Sequence, residues 1–317
     1  MPGMRPLVML TCDGCGREFV GDLPSGNGLH TPTLLDRDSK EVFQPEQESY
    51  WFGKWLRQSY TNRTDASVDV TAKGMDNVDN PAVLNCLDAL YGHALLKLLN
   101  AQRFVESAST DIVVIAQPKF EWLIPEEVTA VITVDLPLSR GYEWNEALAA
   151  KFRTLFAEYE RVELCCADPH PHPSTFDIRR YSGIQPHDIE NKWSNPAKVT
   201  FVWRDDRCWS PLPPWAIIED YLDERLPLNI KSNDYLSLIG SHLDAIARQI
   251  QRRKLLAFES SLREQVSTLD FAVAGIAESG GLPDRITDLR IESPSDADER
   301  HLCERYAESS VVVGIHG

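Results

Sequence analysis

From residue 111 onward, short β-branched segments alternate with segments of helical spacing, and this alternation constrains the chain more than any other feature. Residues 111–115 and 128–134 read as strands, 144–159 as a helix and 161–166 as a third strand. After a proline-broken stretch, the pattern resumes with a strand over 198–203, a long helix over 239–267 and a strand over 269–275. A short strand over 286–291 and a helix capped at Ser295 and running to Glu308 follow. Asp296, Asp298 and Glu299 suit that helix's first turn. Val311, Val312 and Val313 then form a run of the kind a parallel sheet buries on both faces. The fold class is α/β, with mostly parallel sheets and helical crossovers.

The first 79 residues form an N-terminal segment and linker without a readable pattern, apart from a short aromatic helix over 45–59 and a polar linker over 65–80. Pro81 suits the first position of a helix capped by Asn80. Leu84, Leu87, Leu90, Leu95 and Leu98 continue that helix to about Arg103. Residues 80–190 and 191–317 then make two Rossmann-like α/β domains joined by a proline-rich hinge, the second one incomplete. Such a pair faces a cleft between its carboxyl edges, which is a binding site by architecture.

At 317 residues the chain is long enough for two cores. Its net charge of −16, from 48 acidic and 32 basic residues, argues against nucleic acid as a partner. A small anion would need a local cluster of arginines. No apolar run has transmembrane length, and the opening apolar stretch is too short for a signal-peptide core. The seven cysteines are odd in number and scattered, which reads as a reducing, cytoplasmic compartment. Cys12 and Cys15 are half of a zinc signature with no second pair, and His170 and His172 lie in a proline-spaced loop, so neither a metal nor a cofactor is expected. Oligomeric state is not legible.

Three constellations carry chemistry. Arg204 and Arg207 follow a strand and either grip a phosphate or pair with Asp205 and Asp206. Gly314, His316 and Gly317 form a Gly-x-His-Gly turn, either a ligand loop or a plain chain reversal. Tyr91, Gly92 and His93 sit inside the expected helix over 80–103, where Gly92 costs roughly 1 kcal/mol relative to alanine. His93 is either a base or a hydrogen-bonded core histidine.

The succession Val199-Thr-Phe-Val-Trp-Arg-Asp-Asp-Arg-Cys-Trp209, Leu269-Asp-Phe-Ala-Val-Ala-Gly275, Asp288-Leu-Arg290 and Val312-Val-Gly-Ile-His-Gly317 resembles the donor-binding half of GT-B glycosyltransferases. It looks closest to bacterial relatives of the fucosyltransferase-like and GT61-like groups. The resemblance spans roughly residues 80 to 317 and rests on short motifs. It implies that Arg204, with Arg207 beside it, binds the diphosphate of a nucleotide-sugar donor. Gly314, His316 and Gly317 would form the donor loop, which in the family continues beyond the position of Gly317. Tyr91-Gly92-His93 would face the cleft on the acceptor side. The implied activity is sugar transfer to a carbohydrate or other hydroxyl acceptor, with His93 or Asp135 as base and the departing diphosphate stabilised by Arg204 and helix-terminal amides. The alternative is a non-catalytic or degenerate α/β binding protein whose Cys12/Cys15 segment engages a partner. A zinc-dependent N-terminal module is the third possibility.

Overall fold

The computed structural model describes residues 5–45, 50–107, 110–185, 196–204 and 234–314. It is a mixed α/β protein divided into two compact units, Met1–Gly183 and Ile184–Gly317.

The first unit opens with an antiparallel meander: β1 (Leu7–Thr11), β2 (Glu18–Asp22), β3 (Leu34–Asp36) and β4 (Val42–Phe43), hydrogen-bonded in that order. Helix α1 (Tyr50–Thr61) packs on β3 and β4. Val20, Leu35, Leu56, Tyr60 and Trp144 make the small core beneath them. Strands this short bury too little to be recognised by alternation, and much of the meander's apolar surface stays exposed, including Met9, Leu10, Leu34 and Phe43.

A five-stranded sheet follows, in the order β5-β8-β7-β6-β9. Its strands are β5 (Val70–Lys73), β6 (Pro81–Asn85), β7 (Asp111–Ala116), β8 (Ala130–Val134) and β9 (Glu163–Leu164). All are parallel except the edge strand β5, which runs antiparallel to β8. Helices α2 (Tyr91–Leu98) and α3 (Ala101–Ser107) cross from β6 to β7, and α4 (Glu146–Leu155) from β8 to β9. They cover opposite faces. Leu84, Val114 and Phe120 pack with Leu98 on one side, and Val83, Val113 and Ile132 pack with Leu148 on the other. Each fully buried side chain of this size contributes about 1.5–3 kcal/mol relative to leaving it in water. The short helix α5 (Arg179–Ser182) ends the unit.

Two expectations fail in this sheet. Residues 65–80 are not simply a linker, because they supply β5 and a short 3-10 turn at Met75–Asn77. Residues 80–103 are not one helix, because Pro81–Asn85 is a strand buried at all five positions. A central parallel strand is apolar on both faces and shows no alternation, so the threefold spacing of Leu84, Leu87 and Leu90 mimics a helix. Proline is tolerated at the first position of a strand. The helix begins only at Tyr91, so Gly92 lies in its first turn and not in mid-helix.

In the second unit, β10 (Ala197–Val202), β11 (Leu269–Gly275), β12 (Thr287–Arg290) and β13 (Val311–Gly314) form an all-parallel sheet ordered β12-β11-β10-β13. Helix α6 (Asp234–Gln265) covers one face, where Leu255 and Phe258 meet Phe201, Phe271 and Val273. Helix α7 (Asp296–Glu308) lies on β10. It starts with a reciprocal capping box between Ser295 and Asp298. Its Arg305 reaches the sheet, donating to Thr200 Oγ1 (3.0 Å) and Asp270 (2.7 and 3.0 Å). Val311–Val313 forms the expected parallel strand beside β10, half-buried rather than enclosed on both faces. Among the described residues β13 stands at the edge of the sheet, and Val312 is 47% exposed.

The two units share one topological feature. In each, the first three parallel strands step outward in one direction and the fourth returns to the other side of the first. The chain therefore reverses between β6 and β9, and again between β10 and β13. Open α/β sheets bind ligands outside the carboxyl ends of strands at such points.

Candidate functional site

At the carboxyl edge of the second unit's sheet lies a cavity of about 700 Å³. Trp203 follows β10, Ile276 and Ala277 follow β11, and Arg290 ends β12, so three strands contribute to its wall. Gly275 makes the approach of β11 to β10 possible. Its φ is +140°, and a Cβ there would stand 2.1 Å from the Trp203 carbonyl oxygen.

Three arginines reach this cavity. Arg290 is buried and stacks over the Trp203 ring, 5.0 Å from its centroid. Its Nε and Nη2 donate to Asp288 (2.8 and 2.7 Å), and Nη2 also donates to the Gly280 carbonyl (2.6 Å). Burial pushes the Asp288 carboxyl up, but the hydrogen bonds from Arg290 and the Gly280 N–H outweigh it and hold that carboxyl below the usual range. Arg290 is thus a fixed, neutralised wall. Arg248 and Arg252 stand four residues apart on α6, so they share one helix face. Both are exposed, and neither has a carboxylate partner among the described residues. Gly281 leaves room for Arg252, since a Cβ there would lie 3.0 Å from its Nη1. Glu278 and Glu292 line the same cavity. Two guanidinium groups with this spacing suit a phosphate or diphosphate.

Arg204 directly follows Trp203, and its carbonyl accepts a hydrogen bond from Gln251 of α6 (3.5 Å). Gly314 ends the neighbouring strand, in register with Val202. The fold therefore brings Arg204 and Gly314 to the same edge, at the point of chain reversal. Arg207, His316 and Gly317 lie outside the described residues. Sequence reasoning passes over Arg248 and Arg252 because the Arg252-Arg253-Lys254 run reads as a solvated helix face. Their i, i+4 spacing is the available signal.

The equivalent edge of the first unit is built differently. Asp88, in the turn after β6, is 2% exposed and pairs with Lys97 of α2, also buried, at 3.0 Å. Its Oδ1 accepts the N–H groups of Ala89 (2.8 Å) and Leu90 (3.1 Å), and Lys97 also donates to the Leu87 carbonyl. Gly141 lets a neighbouring loop press on this turn, since a Cβ there would lie 2.5 Å from the Ala89 nitrogen. His93, in the first turn of α2, has its Nδ1 3.7 Å from Asp88 Oδ1. That nitrogen is buried without a hydrogen-bond partner among the described residues. The His170 ring stands 6.1 Å away, edge to face.

The segment after β2 closes over this cluster. Ser25 Oγ donates to the Cys165 carbonyl (2.8 Å), and Gly26 N–H donates to the Ala167 carbonyl (2.8 Å). The remaining space beside Asp88, His93 and Lys97 is about 10 Å³, which is roughly room for one water. Asp135 lies elsewhere, exposed just beyond β8 and two strands from β6. It is not among the residues lining the gap beside His93. Asp88 and Lys97 are invisible in the sequence, since both fall in the segment that reads as continuous helix.

Cys12 and Cys15 occupy the turn between β1 and β2, where hydrogen bonds from the Gly14 and Cys15 N–H groups hold the Cys12 thiol below its ordinary range. Among the described residues no cluster of three or more His, Cys, Asp or Glu side chains is arranged to hold a metal, and no helix is long and apolar enough to cross a membrane. Comparison of the chain with family models, with curated proteins and with solved structures finds no match.

Proposed function

We propose that the protein is a glycosyltransferase of the GT-B type that takes a sugar from a nucleotide-sugar donor and transfers it to a hydroxyl acceptor. The observation that carries this reading is the cavity of the second unit, with Arg248 and Arg252 unpaired by carboxylates among the described residues, at the carboxyl edge of a parallel sheet. The repeated strand order supports it, because a GT-B enzyme has two Rossmann-like domains and each unit has the reversal such a domain uses. In the reaction the acceptor oxygen forms a bond to the anomeric carbon as the bond to the diphosphate breaks. The acceptor proton passes to a base, for which His93 and Asp135 are the candidates. Arg248 and Arg252 balance the charge of the departing diphosphate, with Arg204 beside the same edge.

The test is calorimetric titration of the full chain with a panel of nucleoside diphosphates. One of them binds one-to-one, and Arg248→Ala/Arg252→Ala weakens it by about tenfold or more, or about 1.4 kcal/mol. A folded protein that binds none of the panel ends the reading.

A specific observation favours a second reading, nucleotide binding without transfer. His93 faces a gap of about 10 Å³, too small for an acceptor. Release of nucleoside diphosphate from a bound sugar nucleotide, followed by mass spectrometry, separates the two.

A further inference from the structure

Two adjoining cavities in the first unit differ sharply in character. The larger, about 410 Å³, lies between the meander and α4, walled by Leu7, Leu23, Val83, Ile115, Phe152 and Phe156. Its charged lining residues are Arg153 and Glu163, and Glu163 is already paired with Arg161 at 3.0 Å. The smaller, about 270 Å³, is walled by Arg37, Arg63 and Arg153 together with Tyr60 and Trp144. Leu7, Ala149 and Arg153 belong to both walls.

The smaller cavity is cationic in a chain whose net charge is −16. Arg37 pairs with Glu18 and donates to the Tyr60 hydroxyl (3.3 Å). The Arg63 guanidinium lies 4.3 Å from the Tyr60 ring centroid, and Lys40 Nζ lies 4.5 Å from it. Neither Arg63 nor Arg153 has a carboxylate partner among the described residues. Glu146 is the acid in this lining, and its Oε1 accepts the Trp144 indole N–H at 2.9 Å. Burial pushes the Tyr60 phenol up, yet the hydrogen bonds from Arg37 and Arg63 and the nearby Lys40 bring it below its ordinary value. That is the mark of a positive local potential.

We propose that the two cavities form one site for a single-chain amphipathic anion. Its apolar body occupies the larger cavity and its phosphate or carboxylate head lies against Arg63 and Arg153. The larger cavity falls within the volume range of small-molecule pockets and has the expected mix of apolar wall and few polar groups. The smaller supplies guanidinium groups over aromatic faces, which suits a planar or tetrahedral oxyanion. Arg153 stands at the junction and serves both. The site belongs to the first unit, and nothing in it depends on nucleotide binding by the second.

The experiment is calorimetric titration of the full chain with dodecyl phosphate, laurate and inorganic phosphate, the amphiphiles kept below their micelle concentrations. One or both amphiphiles bind one-to-one, about 100-fold tighter than inorganic phosphate. Binding of dodecyl phosphate alone assigns the head as phosphate, and of laurate alone as carboxylate. Arg63→Ala/Arg153→Ala weakens the bound amphiphile by about tenfold or more. Ala149→Trp fills the shared wall and abolishes its binding. Circular dichroism melts check that each variant folds. The arginine variant, altered only at exposed positions, carries the test if the tryptophan variant does not fold. No amphiphile binding, equal affinity for inorganic phosphate, or binding indifferent to the arginine change overturns the proposal. The titration contains no nucleotide, so its failure and the failure of the transferase reading are read separately.

Discussion

The parallel strands of the two sheets reverse direction in the same way, yet their carboxyl edges treat charge in opposite fashion. At the first, Asp88 and Lys97 are buried against each other and the Ser25–Gly26 segment closes over them. At the second, Arg290 is neutralised by Asp288, but Arg248 and Arg252 stand exposed at a 700 Å³ cavity. A buried, mutually satisfied pair fixes a turn and has nothing left to offer a ligand. Exposed cations without carboxylate partners carry little of the fold and remain open to an anion. The same topology therefore ends in a closed edge in one unit and in an open, arginine-lined cavity in the other.

Breaking the buried pair tests this contrast most strongly. Lys97→Met leaves Asp88 in the interior without its partner, and should destabilise the protein by about 3–5 kcal/mol in a denaturant melt. If the melt is unchanged, Asp88 is not held as described. Gly275→Ala comes next. It puts a side chain against the Trp203 carbonyl in a backbone region that only glycine favours, and should cost about 3 kcal/mol. By contrast, the Arg248→Ala/Arg252→Ala change should leave the melt unaltered while weakening nucleotide binding, since both side chains are exposed.

The smallest effect concerns the paired charges of the second unit. The hydrogen bonds from Arg305 lower the Asp270 carboxyl, and Asp288 is lowered despite its burial. Because both titrate lower when folded than when unfolded, their contribution is complete above about pH 4 and is lost as the pH falls through the folded values. Arg305→Met should therefore flatten the acid limb of stability by on the order of 1 kcal/mol. Melting points of both proteins between neutral and acid pH would show it, and parallel curves would remove Asp270 from the account.

Legibility in the sequence follows the size and regularity of each element. Helix α7 is readable to its cap because Ser295 and the acidic first turn leave a local signature. Strand β11 is readable because seven residues lie between clear breaks. Strand β6 reads falsely as helix because a fully buried strand carries no period of its own, and Asp88 and Lys97 are lost with it. The meander is not readable because its strands span two to five residues and bury only part of their apolar side chains. At the edge of the second unit, Arg204 and Gly314 stand out through strand ends, which a sequence marks well. Arg248 and Arg252 need the helix's orientation, which no local pattern supplies.

The hydrogen bond from Ser25 to the Cys165 carbonyl joins residues 140 positions apart. During synthesis the meander is complete long before its docking partner exists. At ordinary elongation rates, the 120 or so residues between β4 and β9 keep it waiting on the order of ten seconds. For most of that interval Val20 and Leu35 lack Trp144, which completes their core, and the closing of the first unit awaits the emergence of β9.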